Sequence, residues 1–509
     1  MSIKLRALLG VSALAALAMT GAAHAGDIWG GGSTLIYPAH QTMACNYSGS
    51  TPDFFPPPPT PFPGCPPVGS SADVLHYANT GSGVGIAGFF SHDRSRYGVA
   101  ASGWTSGDVQ YALSESPLSA GEVSKYDSGG TLNGVVMGPP PALYPAPRTF
   151  GGALVQIPVA IVPVALAYDP TYKKVNNAGT VTSYRFNVVN GVRVNGGLRL
   201  DAATYCKIVN GQITDWNDAA LTALNGASLR DPSDPVPAAS WSVPIELVGD
   251  SLSSGITQVL TRHLFAACAG LSGNAFVTPA GTPELPLPRQ GPGVGRFTLM
   301  PGAPGIAAYT SFTDVPAIGV TLTRGRLGYL GLTYTAPYAG ANNLSYALHT
   351  ATLKNGGSGA FVAPSPATAI AAFAPQTAPE TNGSGVYTPG ATLWGARNNP
   401  ADWVRLSASG SSASLANPAT GYSIIGTENF LAYTCYATSA RTAAIHDYLV
   451  FWLNHPTPLT NAGLAAMPNT WRLAITETFL TTPSTPSVLQ IATAGAGSSN
   501  SNCVSVTGG

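Results

Sequence analysis

Residues 248–257 hold the densest group of side chains able to do chemistry, with Asp250, Ser251, Ser253, Ser254 and Thr257 set around Gly255. Residues 245–248 are apolar and read as a strand, while Val259, Leu260, His263 and Leu264 recur at helical spacing. A strand that empties through small hydroxyl residues into a helix leaves unpaired N–H groups at Ser254 and Gly255. The positive end of the helix dipole lies at the same place, and together they attract an oxyanion. Asp250, a carboxylate in the same loop, repels one. The plainer alternative is that Ser253 or Ser254 only caps the helix.

Three other loops share this chemistry. The run Gly30-Gly31-Gly32-Ser33-Thr34 lets backbone approach a ligand closely and offers the Thr34 hydroxyl. Thr80-Gly81-Ser82-Gly83 precedes an apolar run, 87–90, that can open a helix. Tyr111-Ala112-Leu113-Ser114 reads as a strand ending in the turn Glu115-Ser116-Pro117, with Ser119 capping the next segment. The plain readings are an ordinary turn for Ser82 and a solvated turn carboxylate for Glu115.

These loops need a scaffold. Leu154–Tyr168 is the longest stretch of β-branched and other apolar residues and predicts a buried strand carrying the chain from one unit to another. Residues 205–218 read as a helix, a glycine break and a capped turn, and further helices are expected around 443–453 and 471–479. The Pro-rich segment 46–70 and the Ala-, Gly-, Ser- and Asn-rich segment 338–418 read as extra loops. Strands alternating with helices predict an α/β protein with mixed sheets.

Lys4 and Arg6, the apolar run 7–19 and Ala23-His24-Ala25 form a secretory signal peptide, so residues 1–25 are expected to be removed. No cysteine follows that run to carry a lipid anchor. No later apolar run is long and unbroken enough to span a bilayer. With 9% charged residues and zero formal net charge, the chain lacks the basic excess of a nucleic-acid or anionic-membrane binder. Six cysteines in an exported chain predict three disulfides. Their pairing is open, and neighbours in chain order are the simplest choice. No Cys or His spacing suggests a metal, and no cofactor is expected.

Taken in order, Asp27-Ile28-Trp29-Gly30-Gly31-Gly32-Ser33-Thr34, the Trp216 turn in 212–218, Ser254-Gly255, the segment 420–426 with Cys435 and Tyr436 beyond it, and Pro468-Asn469-Thr470-Trp471 resemble segments of periplasmic phosphate-binding proteins of ABC importers. The exported DING proteins are the nearer likeness, with Trp29 where their opening motif has Asn. The resemblance implies a two-lobe, type II periplasmic-binding-protein-like fold. Residues 26–158 and 421–509 would form lobe 1 and 159–420 lobe 2, with a ligand buried in the cleft. It also implies bridges Cys206–Cys268 and Cys435–Cys503, with Cys45–Cys65 as an addition.

The implied ligand contacts carry over in part. Thr34, Ser82, Ser254 and Gly255 match positions that donate hydrogen bonds to phosphate. Glu115 stands where the family has the Asp that accepts the proton of a protonated phosphate. Asp250 stands where the family has its bidentate Arg, Leu252 where a carboxylate steadies that Arg, and Ile256 where the loop has a Thr. The expectation is therefore a monomeric solute-binding protein, periplasmic or secreted, with weakened or changed oxyanion specificity and an ABC permease as partner. The alternatives are a phosphatase-like relative using Ser254 or Thr34 as nucleophile, and a surface scaffold that binds nothing.

Overall fold

The computed structural model describes residues 26–49, 52–55, 69–98, 104, 107–131, 144–175, 180–188, 197–287, 297–311, 325–342, 344, 346, 348–380, 395–408, 415–481 and 487–509. The signal-peptide segment and Cys65 lie outside them. Nine strands form the main path of the principal sheet: β1 (Asp27–Gly32), β2 (Asp53–Phe55), β3 (Val74–Ala78), β4 (Tyr111–Ser114), β5 (Leu154–Tyr168), β6 (Ile245–Asp250), β7 (Phe297–Met300), β8 (Gly325–Gly331) and β9 (Ile425–Tyr433). Their spatial order is β7-β6-β8-β5-β9-β4-β1-β3-β2.

Both flanks of this sheet are parallel, and the centre is not. Strands β4, β1, β3 and β2 run parallel, as do β7, β6 and β8. Between them β5 and β9 pair antiparallel with each other. Strand β5 then pairs antiparallel with β8, and β9 with β4. All fifteen residues of β5 are buried, as its unbroken apolar sequence predicts. Pro158 is accommodated beside a register irregularity at Glu428/Asn429, and Pro163 faces Ile425 where β9 begins. The result is a two-lobe α/β fold of type II arrangement, with β5 and β9 crossing between the flanks.

Helices leave the carboxyl ends of the parallel strands. They are α1 (Tyr37–Tyr47) after β1, α2 (Ser82–Ser91) after β3, α3 (Ala120–Ser128) after β4, α4 (Gly255–Ala267) after β6 and α5 (Gly302–Ser311) after β7. In such sheets the carboxyl-end crevice is where ligands sit. The entry to α1 is very tight. Gly32 has φ +134, and a Cβ there would lie 2.1 Å from the Leu113 carbonyl oxygen, so only glycine lets β1 turn against β4.

Two expectations are corrected. The helix expected to open within 87–90 begins at Ser82, because Gly81 supplies the positive φ before it and Gly85 leaves room where β1 approaches at Gly32. The segment 338–418 is not only loop. It contains α6 (Pro366–Phe373), begun by a Ser365/Thr368 capping box, and α7 (Pro400–Ala408), with Leu353, Phe373 and Trp403 buried. Ala369 and Ala372 are also buried, so small side chains make a close-packed interface that has no bulky apolar stripe to betray it.

The helix expected at 443–453 is α8 (Ser439–Asn454), and Ser119 caps α3 as read, in a capping box with Glu122. Cys206–Cys268 and Cys435–Cys503 are bonded. The expected Cys45–Cys65 bridge falls outside the described residues. Among the described residues no helix is long and apolar enough to cross a membrane.

Candidate ligand site

The loops selected from sequence meet at the carboxyl ends of β1, β3, β4 and β6. At their centre is the carboxylate of Glu115, 2% exposed and so no solvated turn residue. Ser33 Oγ donates to Glu115 Oε1 at 2.5 Å, and Ser82 Oγ to Oε2 at 2.6 Å. Gly255, the first residue of α4, closes the far side: a Cβ there would stand 2.4 Å from Glu115 Oε2. Two hydroxyls and the starts of α2 and α4 thus surround one carboxylate. That arrangement is an oxyanion cradle, and the chain's own side chain fills it.

Glu428 lies next to this group. Fully buried on β9, it approaches Ser33 Oγ with Oε2 at 3.2 Å, while its Oε1 has no partner among the described residues. Burial, then the neighbouring Glu115 charge, pushes its carboxyl well above the ordinary range. A neutral Glu428 donates to Ser33, which leaves the Ser33 proton for Glu115. Burial also raises the Glu115 carboxyl, opposed chiefly by the hydrogen bonds from Ser33 and Ser82.

Asp250 is buried too but is turned elsewhere. Its Oδ1 accepts, at 2.9 Å each, from Leu252 N–H and from the first N–H of α5 at Gly302. Ser254 stands at the N-cap position of α4, and its side chain makes no capping bond. Tyr329 Oη accepts from the Asp250 N–H and bonds Thr257 Oγ1 at 2.6 Å. Thr34 Oγ1 accepts from Ala303 N–H at 3.4 Å, and Ile256 contributes only a buried apolar side chain and its backbone. Thr34, Ser82 and Glu115 come from one flank of the sheet, and Asp250, Ser254, Gly255 and Ile256 from the other. The structure brings all seven together.

No Lys or Arg bonds to Glu115, Glu428 or Asp250 among the described residues. Arg326 pairs with Glu246 and Arg397 with Glu477. Arg262, fully buried on α4, donates instead to the carbonyls of Ser407 and Ile425, and burial lowers its pKa to about 10. The sequence reading missed Ser33 and Glu428. The available signal for Glu428 was a lone acid in β9, between apolar residues at both ends of the strand.

Burial raises the Asp250 pKa from 3.8 to about 6, with the bonds from Leu252, Gly302 and Ser254 opposing and Glu115 adding to the rise. The fold thus favours the protonated form. Its contribution is complete below about pH 3.8 and is lost as pH rises through 6, a change of about 3 kcal/mol. Asp250→Asn removes this titration, whereas the buried His40 and His263, held to about 3 and 4, titrate in both proteins. Wild-type stability relative to Asp250→Asn is expected to fall between pH 4 and 6 and then level off. Urea unfolding at each pH checks this, and a flat difference would contradict it.

The crossing strands and the cradle at the strand ends define a two-lobe α/β fold of type II arrangement. Residues 18–493 match the model of the PBP superfamily domain, and the chain belongs to that superfamily. It is 25% identical over 503 residues to alkaline phosphatase L of Pseudomonas aeruginosa strain UCBPP-PA14, covering 94% of each chain. It is 26% identical over 420 residues to a phosphate-binding protein of an unknown prokaryotic organism, covering 81% of this chain and 89% of that one. Among solved structures it is similar to the phosphate-bound high-affinity periplasmic phosphate-binding protein PfluDING, with TM-score 0.58 and 22% identity over 91% of this chain and 96% of that one. The phosphate-binding protein of Stenotrophomonas maltophilia gives TM-score 0.55 and 21% identity over the same shares, 91% and 96%.

Proposed function

We propose that the protein is an exported solute-binding protein of the phosphate-binding type whose oxyanion site is altered, so that inorganic phosphate binds weakly or yields to another small polar ligand. The observation that carries this reading is the Glu115 carboxylate held by Ser33 and Ser82. Phosphate would have to displace it from these donors, and each hydrogen bond to a charged group contributes about 1.5–3 kcal/mol. It would also meet Asp250, where a cation would be needed to offset the new charge.

In this reading the cleft residues are Thr34, Ser82, Glu115, Asp250, Ser254, Gly255 and Ile256, with Ser33 and Glu428 added. Lobe 1 is 26–158 with 421–509, and lobe 2 is 159–420. Support for that division comes from β5, which pairs with β9 up to Pro163 and with β8 from Val164. The mature chain acts as a monomer in the periplasm or outside the cell and hands its ligand to a membrane permease.

Calorimetry of the mature protein with phosphate, sulfate, divalent metals and amines tests the reading. Phosphate is expected to bind with a Kd weaker than about 1 μM, corresponding to roughly −8 kcal/mol. Tight, selective binding of inorganic phosphate would overturn it.

A further inference from the structure

Directly outside the filled cradle lies a second space. A cavity of about 410 Å³ opens between α3 and the start of α4, and its lining includes Ser82, Ser116, Lys125, Ser253, Ser254 and Gln258. Ser82 belongs to both compartments, since its hydroxyl reaches Glu115. A volume in the range of roughly 300–1,000 Å³ suits a small organic ligand. It is far more than a tetrahedral oxyanion needs.

Three features of the lining define the ligand that would fit. First, the Ser116 hydroxyl has no partner although the residue is only 7% exposed, and a buried hydroxyl left unpaired costs about 1–3 kcal/mol. Second, the ammonium of Lys125, partly exposed on α3, has no acidic partner among the described residues. Glu122 also lines the cavity, and its carboxylate is taken up by the N–H and hydroxyl of Ser119. Third, the other polar side chains of the lining are neutral donor–acceptors, namely hydroxyls and the Gln258 amide. Of these, Ser253, Ser254 and Gln258 stand at the start of a 13-residue helix, whose leading N–H groups at Gly255, Ile256 and Thr257 have no acceptor within the helix.

We propose that this cavity binds a small polyhydroxylated organic anion. Its acidic group is held by Lys125 and Ser116, and its hydroxyls by Ser82, Ser253, Ser254 and Gln258. Glu115 keeps the inner cradle negative, so the acidic group stays on the Lys125 side while the uncharged body faces the serines. The assignment rests on the reading that Glu115 excludes inorganic phosphate from the cradle, and it names the ligand class that replaces it.

Calorimetry with four probes tests this on the full mature chain: gluconate, glucose 6-phosphate, glucose and inorganic phosphate. One or both of the acidic sugars are expected to bind at least tenfold tighter than glucose and than inorganic phosphate. Which of the two is tighter tells a carboxylate ligand from a phosphate ester. Lys125→Met should weaken that binding at least tenfold and Ser116→Ala several-fold, with the ligand-free Tm of Lys125→Met unchanged. Equal binding of glucose, binding insensitive to Lys125→Met, or no binding of any probe would overturn the assignment and leave the weak-phosphate reading standing. Tight inorganic phosphate binding untouched by Lys125→Met would instead overturn that underlying reading.

Discussion

Glu115→Ala is expected to turn a protein that binds oxyanions poorly into one that binds them at least tenfold better. In the wild type the Ser33 and Ser82 hydroxyls both converge on this carboxylate. Removing it strands these donors in a buried hole, and each unsatisfied group costs about 1–3 kcal/mol, so the ligand-free variant should lose stability. An entering oxyanion restores their partners. Its binding then stabilises the fold by about 2.7 kcal/mol at a hundredfold excess over Kd, visible as a rise in Tm with added phosphate.

Two companions separate the causes. Glu115→Gln removes the charge but keeps the length, so the amide still fills the cradle and the gain is small. Glu115→Asp withdraws the carboxylate by about one methylene and keeps an acceptor, which a protonated phosphate satisfies and sulfate does not. Glu115→Asp should therefore prefer phosphate over sulfate, whereas Glu115→Ala treats them alike. If Glu115→Ala shows no more oxyanion-dependent stabilisation than wild type, the carboxylate is not what keeps oxyanions out.

The parts of this arrangement legible in the sequence are those with a repeating physical signature. The crossing strand Leu154–Tyr168 shows itself because a strand buried on both faces must be apolar throughout. Ser119 shows itself because a cap followed by an acid three residues on is a local signal. The loops bearing Thr34, Ser82, Glu115 and Ser254 stand out as small-residue segments between apolar runs, and their order along the chain is what resembles the phosphate-binding proteins.

Direction is the property that the sequence does not display. Whether Glu115 points to solvent or into the cradle depends on Gly255 leaving room for it, 140 positions later in the chain. That Asp250 turns to the N-terminus of α5 depends on β7 lying beside β6. Glu428 becomes part of the site only because β9 crosses next to β4. These are tertiary facts with no local periodicity to announce them.

Gly255 is the position where that tertiary fit can be tested most severely. An alanine methyl there would lie 2.4 Å from Glu115 Oε2, 2.8 Å from Glu115 Cβ and 2.9 Å from the Ser116 backbone nitrogen. The carboxylate can retreat only by giving up Ser82, and the Ser116 backbone is fixed in the turn after β4. Overpacking of this kind costs about 1–3 kcal/mol, and Gly255→Ala is expected near the upper end.

Because β4 and α4 come from opposite flanks of the sheet, the strain can also be relieved by separating the lobes, which small-angle scattering would register as a larger radius of gyration. Combining Gly255→Ala with Glu115→Ala removes the Oε2 clash but not those with Cβ and the backbone. The two substitutions should therefore couple favourably by about 1 kcal/mol rather than add. Strict additivity in urea unfolding, or a Gly255→Ala protein as stable and compact as wild type, would show that the carboxylate does not rest against the start of α4. The self-filled cradle would then lose its far wall.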